Sequence, residues 1–298
     1  MISVIVVVYN RPDFILPQYD LVEKFLTDDF EYFVYDNSDN PQVTEQFKSI
    51  CEENGINYFR ISQENQAGSD PSTRAGYSLN SALDHNIENY NLPCLVLDSD
   101  MFLLNTFCVD DALVENKIIG NLQKRGDIYY YNNQLLCLDL PNLPNFKGHN
   151  RFLPGVVNGV TTDCGGWMYN YINDNRISHR GFSHFFSGMI YSDCYDKNLD
   201  LFELELSKVE VDNAPPHEKY HERISILDDI IPSYLYDYYR IEIDILKRYM
   251  GVGVNFSELF SDCFLHFRAG SNWIGHCDDM VGLRNKNLHN LFQERLSL

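Results

Sequence analysis

The sequence has few basic residues for its size. Its 298 residues include 23 lysines and arginines against 43 aspartates and glutamates, which gives a formal net charge of −20. A surface this negative repels nucleic acid and anionic lipid at long range, so we predict no nucleic-acid partner. The length suits one large domain with a full hydrophobic core, and we expect a single domain over residues 1–298.

The sequence also lacks the signatures of export and of membrane insertion. The apolar run Ile2–Val8 has no basic leader and is too short to cross a bilayer, so we predict no signal peptide and no integral membrane segment. The eight cysteines are scattered and form no C-x-x-C pair, a pattern typical of thiols that stay reduced. Together these features favour a soluble, cytoplasmic protein.

The first hundred residues alternate between apolar runs and segments with helical periodicity. This alternation is typical of a doubly wound, mainly parallel α/β sheet, whose ligands bind beyond the carboxyl ends of the strands. Pro41 and Gly55 mark the beginning and end of the second helix. The predicted strands are residues 2–8, 32–35, 57–61 and 94–97, and the predicted helices are residues 14–26, 41–54 and 72–85.

Beyond residue 105 the alternation fades. Short strands are predicted at residues 128–131 and 134–139, followed by a loop-rich stretch over residues 141–162. Residues 224–250 favour helix, interrupted or begun at Pro232. The remaining predictions are a helix ending near Ile172 and a closing helix over residues 288–296.

Two carboxylates follow the fourth predicted strand. Asp98 and Asp100 are separated by Ser99, and alternation along an extended chain puts both acids on one side. Such a pair suits a hard divalent cation, Mg²⁺ or Mn²⁺, which commonly bridges carboxylates to the phosphates of a substrate. The alternative is a turn whose short polar side chains cap the backbone. We expect the acids at a solvent-facing strand end rather than in the core.

The order of these features resembles the GT-A glycosyltransferases. The resemblance covers about residues 1–105 and implies a GT-A fold, a mixed, mainly parallel sheet flanked by helices, with helical C-terminal additions. It further implies that residues 1–105 bind a nucleotide-diphosphate sugar and that residues 106–298 bind the acceptor. The matching segments are Tyr9-Asn10-Arg11, Asp36-Asn37-Ser38, Asp98-Ser99-Asp100 and, as in the family-two group, residues 65–68 and 74–80.

The resemblance also implies roles for single residues. Asp36 would contact the nucleotide base or ribose, and Asp98 and Asp100 would hold Mn²⁺ or Mg²⁺ against the diphosphate. Asp36 could instead cap the turn that follows it, and the arginines could be ordinary surface charges. The other donor-binding candidates are Tyr9, Asn10, Arg11, Arg74 and Ser99.

A second resemblance lies near the C-terminus. Residues 264–273 are similar to the H-F-x-G-x-x-K-P-W ending of the retaining glycogenin-like transferases, whose histidine completes the metal shell. His266, Gly270 and Trp273 match, whereas Ser271-Asn272 replaces Lys-Pro. The resemblance implies that His266 is a third metal ligand, and imidazole suits Mn²⁺ better than Mg²⁺. The alternative is a histidine hydrogen-bonded in the core.

An inverting transfer needs a carboxylate to take the proton of the acceptor hydroxyl. Asp163 is the first choice, because Gly165-Gly166 lets backbone approach a sugar closely and Trp167 could stack on a pyranose. The alternative role of Asp163 is a helix N-cap, and a retaining route needs no such base. Weaker candidates are Asp212, Glu218, Asp228 and Asp229.

These features favour a metal-dependent glycosyltransferase, a hexosyl- or pentosyltransferase. It would move a sugar from a nucleotide-diphosphate sugar to a hydroxyl of a glycan or other acceptor. One alternative is a sugar nucleotidyltransferase, which should carry a Gly-rich triphosphate loop after the first strand, where residues 9–12 have no glycine. The other is a non-catalytic nucleotide- or sugar-binding module.

Overall fold

The computed structural model describes residues 1–64, 66, 68–148, 151–182, 184–186, 232–248, 257–268 and 278–298. Several sequence-based expectations fall outside these residues. They concern the four weaker base candidates, part of the segment at residues 65–68, and the end of the histidine motif. The residues concerned are Asn65, Ala67, Asp212, Glu218, Asp228, Asp229, Gly270, Ser271, Asn272 and Trp273.

The strands belong to three sheets. In chain order they are β1 (Ile2–Val8), β2 (Phe30–Asp36), β3 (Asn57–Arg60), β4 (Cys94–Asp98), β5 (Met101–Leu103), β6 (Ile118–Arg125), β7 (Ile128–Leu138), β8 (Gly155–Val157), β9 (Val160–Thr162), β10 (His179–Gly181), β11 (His184–Phe186), β12 (Glu258–Phe260) and β13 (Phe264–His266).

The main sheet has seven strands in the order β3-β2-β1-β4-β7-β6-β10. Neighbouring strands run parallel except where β7 pairs antiparallel with β4 and β6. The predicted α/β class, with a mixed, mainly parallel central sheet flanked by helices, is confirmed.

A smaller antiparallel sheet has the order β11-β12-β13-β5. Ser99 and Asp100 are the residues between β4 and β5, so the paired acids lie where the chain leaves the main sheet for the smaller one. This corner therefore brings a strand of the main sheet next to the C-terminal part of the chain. The third sheet is the hairpin of β8 and β9.

The helices of the described residues are α1 (Ile15–Phe25), α2 (Pro41–Asn54), α3 (Pro71–Asn89), α4 (Val109–Ala112), α5 (Met168–Asn175), α6 (Tyr236–Arg248) and α7 (Asp278–Ser297). The predicted bounds of α2 are confirmed. Its N-cap, Asn40, accepts a hydrogen bond from the backbone of Gln42 at 3.0 Å. Gly55 ends the helix with a φ of 68°, a left-handed conformation that glycine adopts without strain.

The hydrophobic core lies on both faces of the main sheet. Alternate side chains of β1 belong to different clusters, as expected for a central strand covered on both sides. The larger cluster contains residues from Ile2 to Phe292 and includes α1, α7 and the smaller sheet. The other cluster lies beneath α3 and α5. No helix among the described residues is both long enough and apolar enough to cross a membrane.

The structure corrects several predicted boundaries where polar residues lie inside an element. The two strands predicted at residues 128–139 are one strand, β7, because Asn132 and Asn133 lie within it. α7 begins ten residues before the predicted helix, at Asp278 rather than residue 288. Arg284 and Asn287 are buried there and hide the apolar periodicity. The predicted loop at residues 141–162 contains the hairpin of β8 and β9.

Candidate active site

The carboxyl ends of β1, β2 and β4 meet at one edge of the main sheet. Val8 pairs with Asp36 on one side of β1, and Val7 pairs with Asp98 on the other. Adjacent strands are about 4.8 Å apart, so the two acids lie about 10 Å from each other across β1. This is the edge at which ligands of doubly wound sheets bind.

Gln18 of α1 supports the corner at residues 98–101. Its side chain is completely buried, and its amide nitrogen donates to the carbonyl oxygens of Asp98 at 2.8 Å and Met101 at 2.5 Å. The hydroxyl of Tyr32 donates to the amide oxygen of Gln18 at 2.8 Å. Sequence reasoning missed Gln18, although a polar residue on the apolar face of a helix was an available signal.

His266 reaches the same corner from the smaller sheet. β13 pairs with β5 so that His266 lies opposite Met101, the residue after Asp100. Its Nε2 atom is 3.3 Å from Oδ1 of Asp100, and both side chains are at most 5% exposed. The structure therefore places two of the three predicted metal ligands in contact with each other. Like a core histidine, the imidazole is buried.

Glu258 holds the other side of the imidazole. One of its carboxylate oxygens, Oε2, lies 2.5 Å from Nδ1 of His266, and the two residues are paired across β12 and β13. An Nδ1–H bound to a carboxylate leaves Nε2 as the nitrogen directed at Asp100, which is the usual arrangement around a metal-binding histidine. The sequence around Glu258 carries no signal for this role, because the contact depends on strand pairing.

Burial and charge act together at this corner. Burial, with the neighbouring Asp100 carboxylate, raises the pKa of Asp98 to about 7. Burial alone would lower the pKa of His266, but the carboxylates of Asp100 and Glu258 raise it to about 10. The two carboxylates therefore favour a positive charge on this imidazole, and a metal ion bound at Nε2 would take the place of the proton there. The expectation of solvent-facing acids was wrong for Asp100, which is 3% exposed because β5 and β13 cover it.

The corner fits a cation that is shared with a ligand. Within the described residues, no three His, Cys, Asp or Glu side chains form a group that would hold an ion unaided. The separation of 3.3 Å between the Asp100 oxygen and the His266 nitrogen is close to the distance of about 3 Å between adjacent ligands of an octahedral Mg²⁺-sized ion. Such ions commonly take one or two protein ligands and complete their shell with phosphates and water.

A second polar cluster lies beyond the ends of β1 and β2. Asp39 is its centre and accepts hydrogen bonds from the hydroxyl of Tyr9 at 2.7 Å and the side-chain amide of Asn10 at 2.9 Å. The guanidinium of Arg74 lies 4.9 Å from the centre of the Tyr9 ring and 3.7 Å from Asp39. The structure thus brings Tyr9, Asn10 and Arg74 together. Asp39 was missed, although it stands in the same polar run as Asp36.

Three predicted donor-binding residues carry buried polar atoms that have no hydrogen-bond partner among the described residues. These atoms are Oδ1 of Asn10, Nη1 of Arg11 and Nε of Arg74. Native proteins leave few such atoms unpaired. Arg11 is also fixed in position, because it pairs with Asp13 at 2.9 Å and lies 4.0 Å from the centre of the Phe14 ring. Unpaired polar atoms on neighbouring residues suit a polar ligand.

Asp36 and Ser99 are buried in the backbone turns that they support. Asp36 has no exposed surface, and its carboxylate accepts from the backbone of Ser38 at 2.7 Å and the hydroxyl of Tyr58 at 3.0 Å. The turn-capping alternative describes this contact with Ser38. Ser99 is 2% exposed and donates its backbone N–H to Asp98 at 2.8 Å. Their contact with a nucleotide stays a prediction.

Asp163 lies between β9 and α5 and is 41% exposed. Its carboxylate accepts from the hydroxyl of Ser72 and from the backbone of Cys164 at 2.8 Å, and lies 3.4 Å from Arg125. The N-cap alternative is not observed, because the N-cap of α5 is Trp167. Burial raises the pKa of the Cys164 thiol, with further contributions from the carboxylates of Asp163, Asp98 and Asp70.

The two glycines after Asp163 are required by packing. A Cβ atom on Gly165, whose φ is 92°, would lie 1.7 Å from the carbonyl oxygen of Tyr131. One on Gly166 would lie 1.8 Å from the hydroxyl of Thr162. The absence of a side chain at both positions is therefore explained by packing against β7 and β9, and the approach of this backbone to a sugar stays a prediction.

No protein-family model matches the chain, and no curated protein matches it. Among solved structures it is similar to an active-site variant of LgtC, with a TM-score of 0.37 and 16% identity over 47% of this chain and 57% of that chain. Galactosyltransferase LgtC in complex with donor and acceptor sugar analogs gives a TM-score of 0.35 and 13% identity over 47% of this chain and 58% of that chain.

A third similar structure is TarS of S. aureus in complex with UDP, with a TM-score of 0.28 and 23% identity over 41% of this chain and 35% of that chain. The matches thus span rather more than half of the LgtC chains and about a third of the TarS chain. At these identities the similarity concerns the fold alone.

Proposed function

We propose that the protein is a metal-dependent glycosyltransferase that moves a sugar from a nucleotide-diphosphate sugar to a hydroxyl of a glycan or other acceptor. The observation that carries the proposal is the contact of 3.3 Å between Nε2 of His266 and Oδ1 of Asp100 at the end of β4. It joins a strand-end acid to an imidazole from a distant part of the chain, and Glu258 orients that imidazole.

In this proposal Asp100 and His266 hold Mn²⁺, or less favourably Mg²⁺, with Asp98 beside them. An imidazole ligand favours Mn²⁺ over the harder Mg²⁺. When bound, the cation offsets the negative charge that develops on the departing diphosphate. Because the pKa of Asp98 is raised to about 7 and burial is the largest cause, an added positive charge would favour its ionised form.

The second polar cluster, which is centred on Asp39, would hold the nucleotide together with Arg11. Among the described residues, one buried guanidinium nitrogen of Arg74 and one of Arg11 have no hydrogen-bond partner, and a guanidinium binds a phosphate or a base edge through two parallel hydrogen bonds. The amide oxygen of Asn10 can accept a hydrogen bond from the ribose or the base. Asp39 joins these residues as a candidate, since its carboxylate already organises Tyr9 and Asn10.

Asp163 would take the proton of the acceptor hydroxyl if the reaction inverts the anomeric carbon. Its carboxylate is partly exposed, as a base that meets an incoming acceptor must be. The hydroxyl of Ser72 and the guanidinium of Arg125 hold it in one orientation.

The test is a thermal-shift screen of UDP, GDP, CMP and dTDP and their sugar conjugates, with Mn²⁺ and with EDTA. A ligand that binds the native state raises its melting temperature by mass action. We expect one nucleotide series to stabilise the protein only with Mn²⁺, and its sugar conjugate to release free nucleotide. Stabilisation that is equal in EDTA, or no stabilisation by any series, would contradict the proposal.

Two outcomes of the same screen would favour the alternatives. Stabilisation by a nucleotide diphosphate without release of nucleotide, across donors and simple sugar acceptors, indicates a binding module. Formation of pyrophosphate from a nucleoside triphosphate and a sugar phosphate indicates a nucleotidyltransferase.

A further inference from the structure

A cavity of about 1070 Å³ lies between the C-terminal end of α3, residues 140–147 and 151–153, and α5. Small-molecule sites in proteins have volumes of about 300–1000 Å³. The residues assigned above to the metal and the nucleotide do not line it. The cavity is therefore a separate feature of the fold, and its lining indicates what it could bind.

Arg151 is the buried cation of this lining. It is 5% exposed, and its guanidinium carbon lies 4.4 Å from the centre of the Phe146 ring and 4.3 Å from the centre of the Tyr171 ring, two rings that pack edge to face with each other. A guanidinium has five N–H donors. In the part of the chain that the structure describes, one of them reaches a protein acceptor, the carbonyl oxygen of Asn145, and no carboxylate forms an ion pair with it.

Burying a guanidinium without an ion-pair partner is costly, and burial lowers the pKa of Arg151 to about 10, although Tyr171 and the carboxylate of Asp84 act in the opposite direction. The rings of Phe146 and Tyr171 and the carbonyl oxygen of Asn145 contact the guanidinium and limit its movement before any ligand arrives. The planar fork of a guanidinium matches the oxygens of a carboxylate or phosphate. The other cation of the lining, Lys147, is paired with Glu88 at 2.7 Å.

Trp167 supplies a different kind of surface to the same cavity. Its side chain is 40% exposed although tryptophan usually buries most of its ring. The indole lies against Gly155. A Cβ atom on Gly155 would be 2.8 Å from Nε1 of Trp167, so the indole can lie here only because residue 155 has no side chain. Asn91 and Asn175 line the same cavity, and a partly exposed indole together with side-chain amides suits the apolar face and the hydroxyls of a sugar ring.

Two elements connect the cavity with Asp163. Trp167, which lines the cavity, stands four residues after Asp163 in the chain. Ser72 at the beginning of α3 donates to Asp163, and Ile87, which lines the cavity, lies about 22 Å along α3 from Ser72 at 1.5 Å per residue. A ligand chain longer than one sugar unit could therefore reach from the cavity to Asp163.

We propose that this cavity binds an acidic saccharide, with Arg151 pairing with its carboxylate or phosphate and Trp167 stacking on a sugar ring. Resting on the proposed glycosyltransferase function, the ligand is part of the acceptor and lies away from the reacting hydroxyl. The ligand recognised is a sugar that bears an anionic group. That group is either a carboxylate or a phosphate, and the experiment tests each of them separately.

The experiment measures binding to the full chain by calorimetry, without metal or nucleotide. The probes are cellobiose, cellobiouronic acid, and cellobiose with a phosphate on its terminal primary hydroxyl. We expect at least one acidic probe to bind at least tenfold more tightly than cellobiose. Arg151→Gln should remove that preference, whereas the matched control Arg176→Gln, an exposed arginine just beyond α5, should keep it.

Two further variants serve as controls. One distinguishes a loss of binding from a failure to fold, and the other reports where the probe binds. Arg151→Lys keeps the charge but loses the planar fork, so we expect an intermediate affinity for the acidic probe. With Trp273→Phe, Trp167 is the remaining tryptophan of the two in the chain, and its fluorescence should change on titration. Equal binding of acidic and neutral probes, no measurable binding, or equal effects of Arg151→Gln and Arg176→Gln would overturn the proposal.

The same titrations separate this proposal from the proposed function. Asp100→Asn should bind the acidic probe as the wild type does, and Arg151→Gln should keep Mn²⁺-dependent binding of UDP or the nucleotide found in the screen. If the wild type binds nucleotide with Mn²⁺ but does not bind the acidic probes, the saccharide site is overturned and the metal site is still supported. Acidic-probe binding without any metal-dependent nucleotide binding would support the saccharide site and contradict the proposed function.

Discussion

The two polar clusters at the carboxyl edge of the main sheet differ in how they are held. Asp100, His266 and Glu258 are enclosed by strands of the smaller sheet, and their side chains are at most 10% exposed. In the other cluster, the side chain of Asp39 is 54% exposed and that of Arg74 is 22% exposed. One cluster is fixed by strand pairing and the other by contacts among side chains.

This difference corresponds to the ligands that we assign to the clusters. A small cation needs ligand atoms at fixed distances, and β5, β12 and β13 provide this for Asp100 and His266. A nucleotide is larger and must displace or join existing contacts. Exposed ion pairs such as Arg74 with Asp39 contribute about 1 kcal/mol or less, so a ligand can replace them at little cost.

The largest expected effect is that of Asp100→Asn on ligand binding. The change removes the charge that the cation requires but keeps the size of the side chain, so we expect Mn²⁺-dependent affinity for the nucleotide diphosphate to fall at least a hundredfold. Calorimetry with and without Mn²⁺ measures this. The matched control is Asp110→Asn, an exposed acid of α4, and an equal loss in both variants would remove Asp100 from the metal site.

His266→Ala should lower the free energy of unfolding much more than substitutions in the exposed cluster do. It leaves the carboxylates of Asp100 and Glu258 buried without the imidazole between them, so we expect the free energy of unfolding to fall by about 3 kcal/mol. Urea denaturation without metal measures this. His289→Ala, an exposed histidine of α7, should change it by less than about 0.5 kcal/mol, and similar losses would contradict the account.

Asp163→Asn should lower turnover by about a hundredfold and leave donor affinity nearly unchanged, because it removes a proton acceptor without emptying the site. Its partial exposure predicts little change in stability. Steady-state kinetics and the anomeric configuration of the product, read by NMR, check the role. An active Asp163→Asn enzyme that forms product with retained configuration would refute the base assignment.

The smallest expected effect is that of Arg74→Gln in the exposed cluster. We expect about a fivefold loss of nucleotide affinity, because one charged partner of the ligand is removed. The free energy of unfolding should change by less than about 1 kcal/mol, since Arg74 makes only partly exposed pairs. Lys48→Gln, with an exposed pair on α2, is the control, and a stability loss as large as that of His266→Ala would break the distinction between the clusters.

The features that were predicted from the sequence depend on neighbouring residues. The ends of α2 follow from Pro41 and Gly55, and the continuous apolar run of β1 indicates a strand covered on both faces. The position of Asp98 at a strand end could likewise be inferred from the run before it.

The features that were missed depend on contacts between distant parts of the chain. Glu258 orients His266 only because β12 pairs with β13, and Gln18 reaches the corner only because α1 packs beneath it. The burial of Asp100 has the same origin, since β5 and β13 cover it. The proximity of His266 to Asp100 was expected from the resemblance to a known motif and not from residue spacing.

The central claim is that Asp100 and His266 bind one divalent cation, and electron paramagnetic resonance of Mn²⁺ tests it most directly. With the nucleotide from the screen present, the wild type should bind one Mn²⁺ with a nitrogen coupling from imidazole. His266→Gln should lose that coupling, and Asp100→Asn should lose the bound ion. A bound Mn²⁺ without nitrogen coupling in the wild type, or the same signal in all three proteins, would contradict the claim.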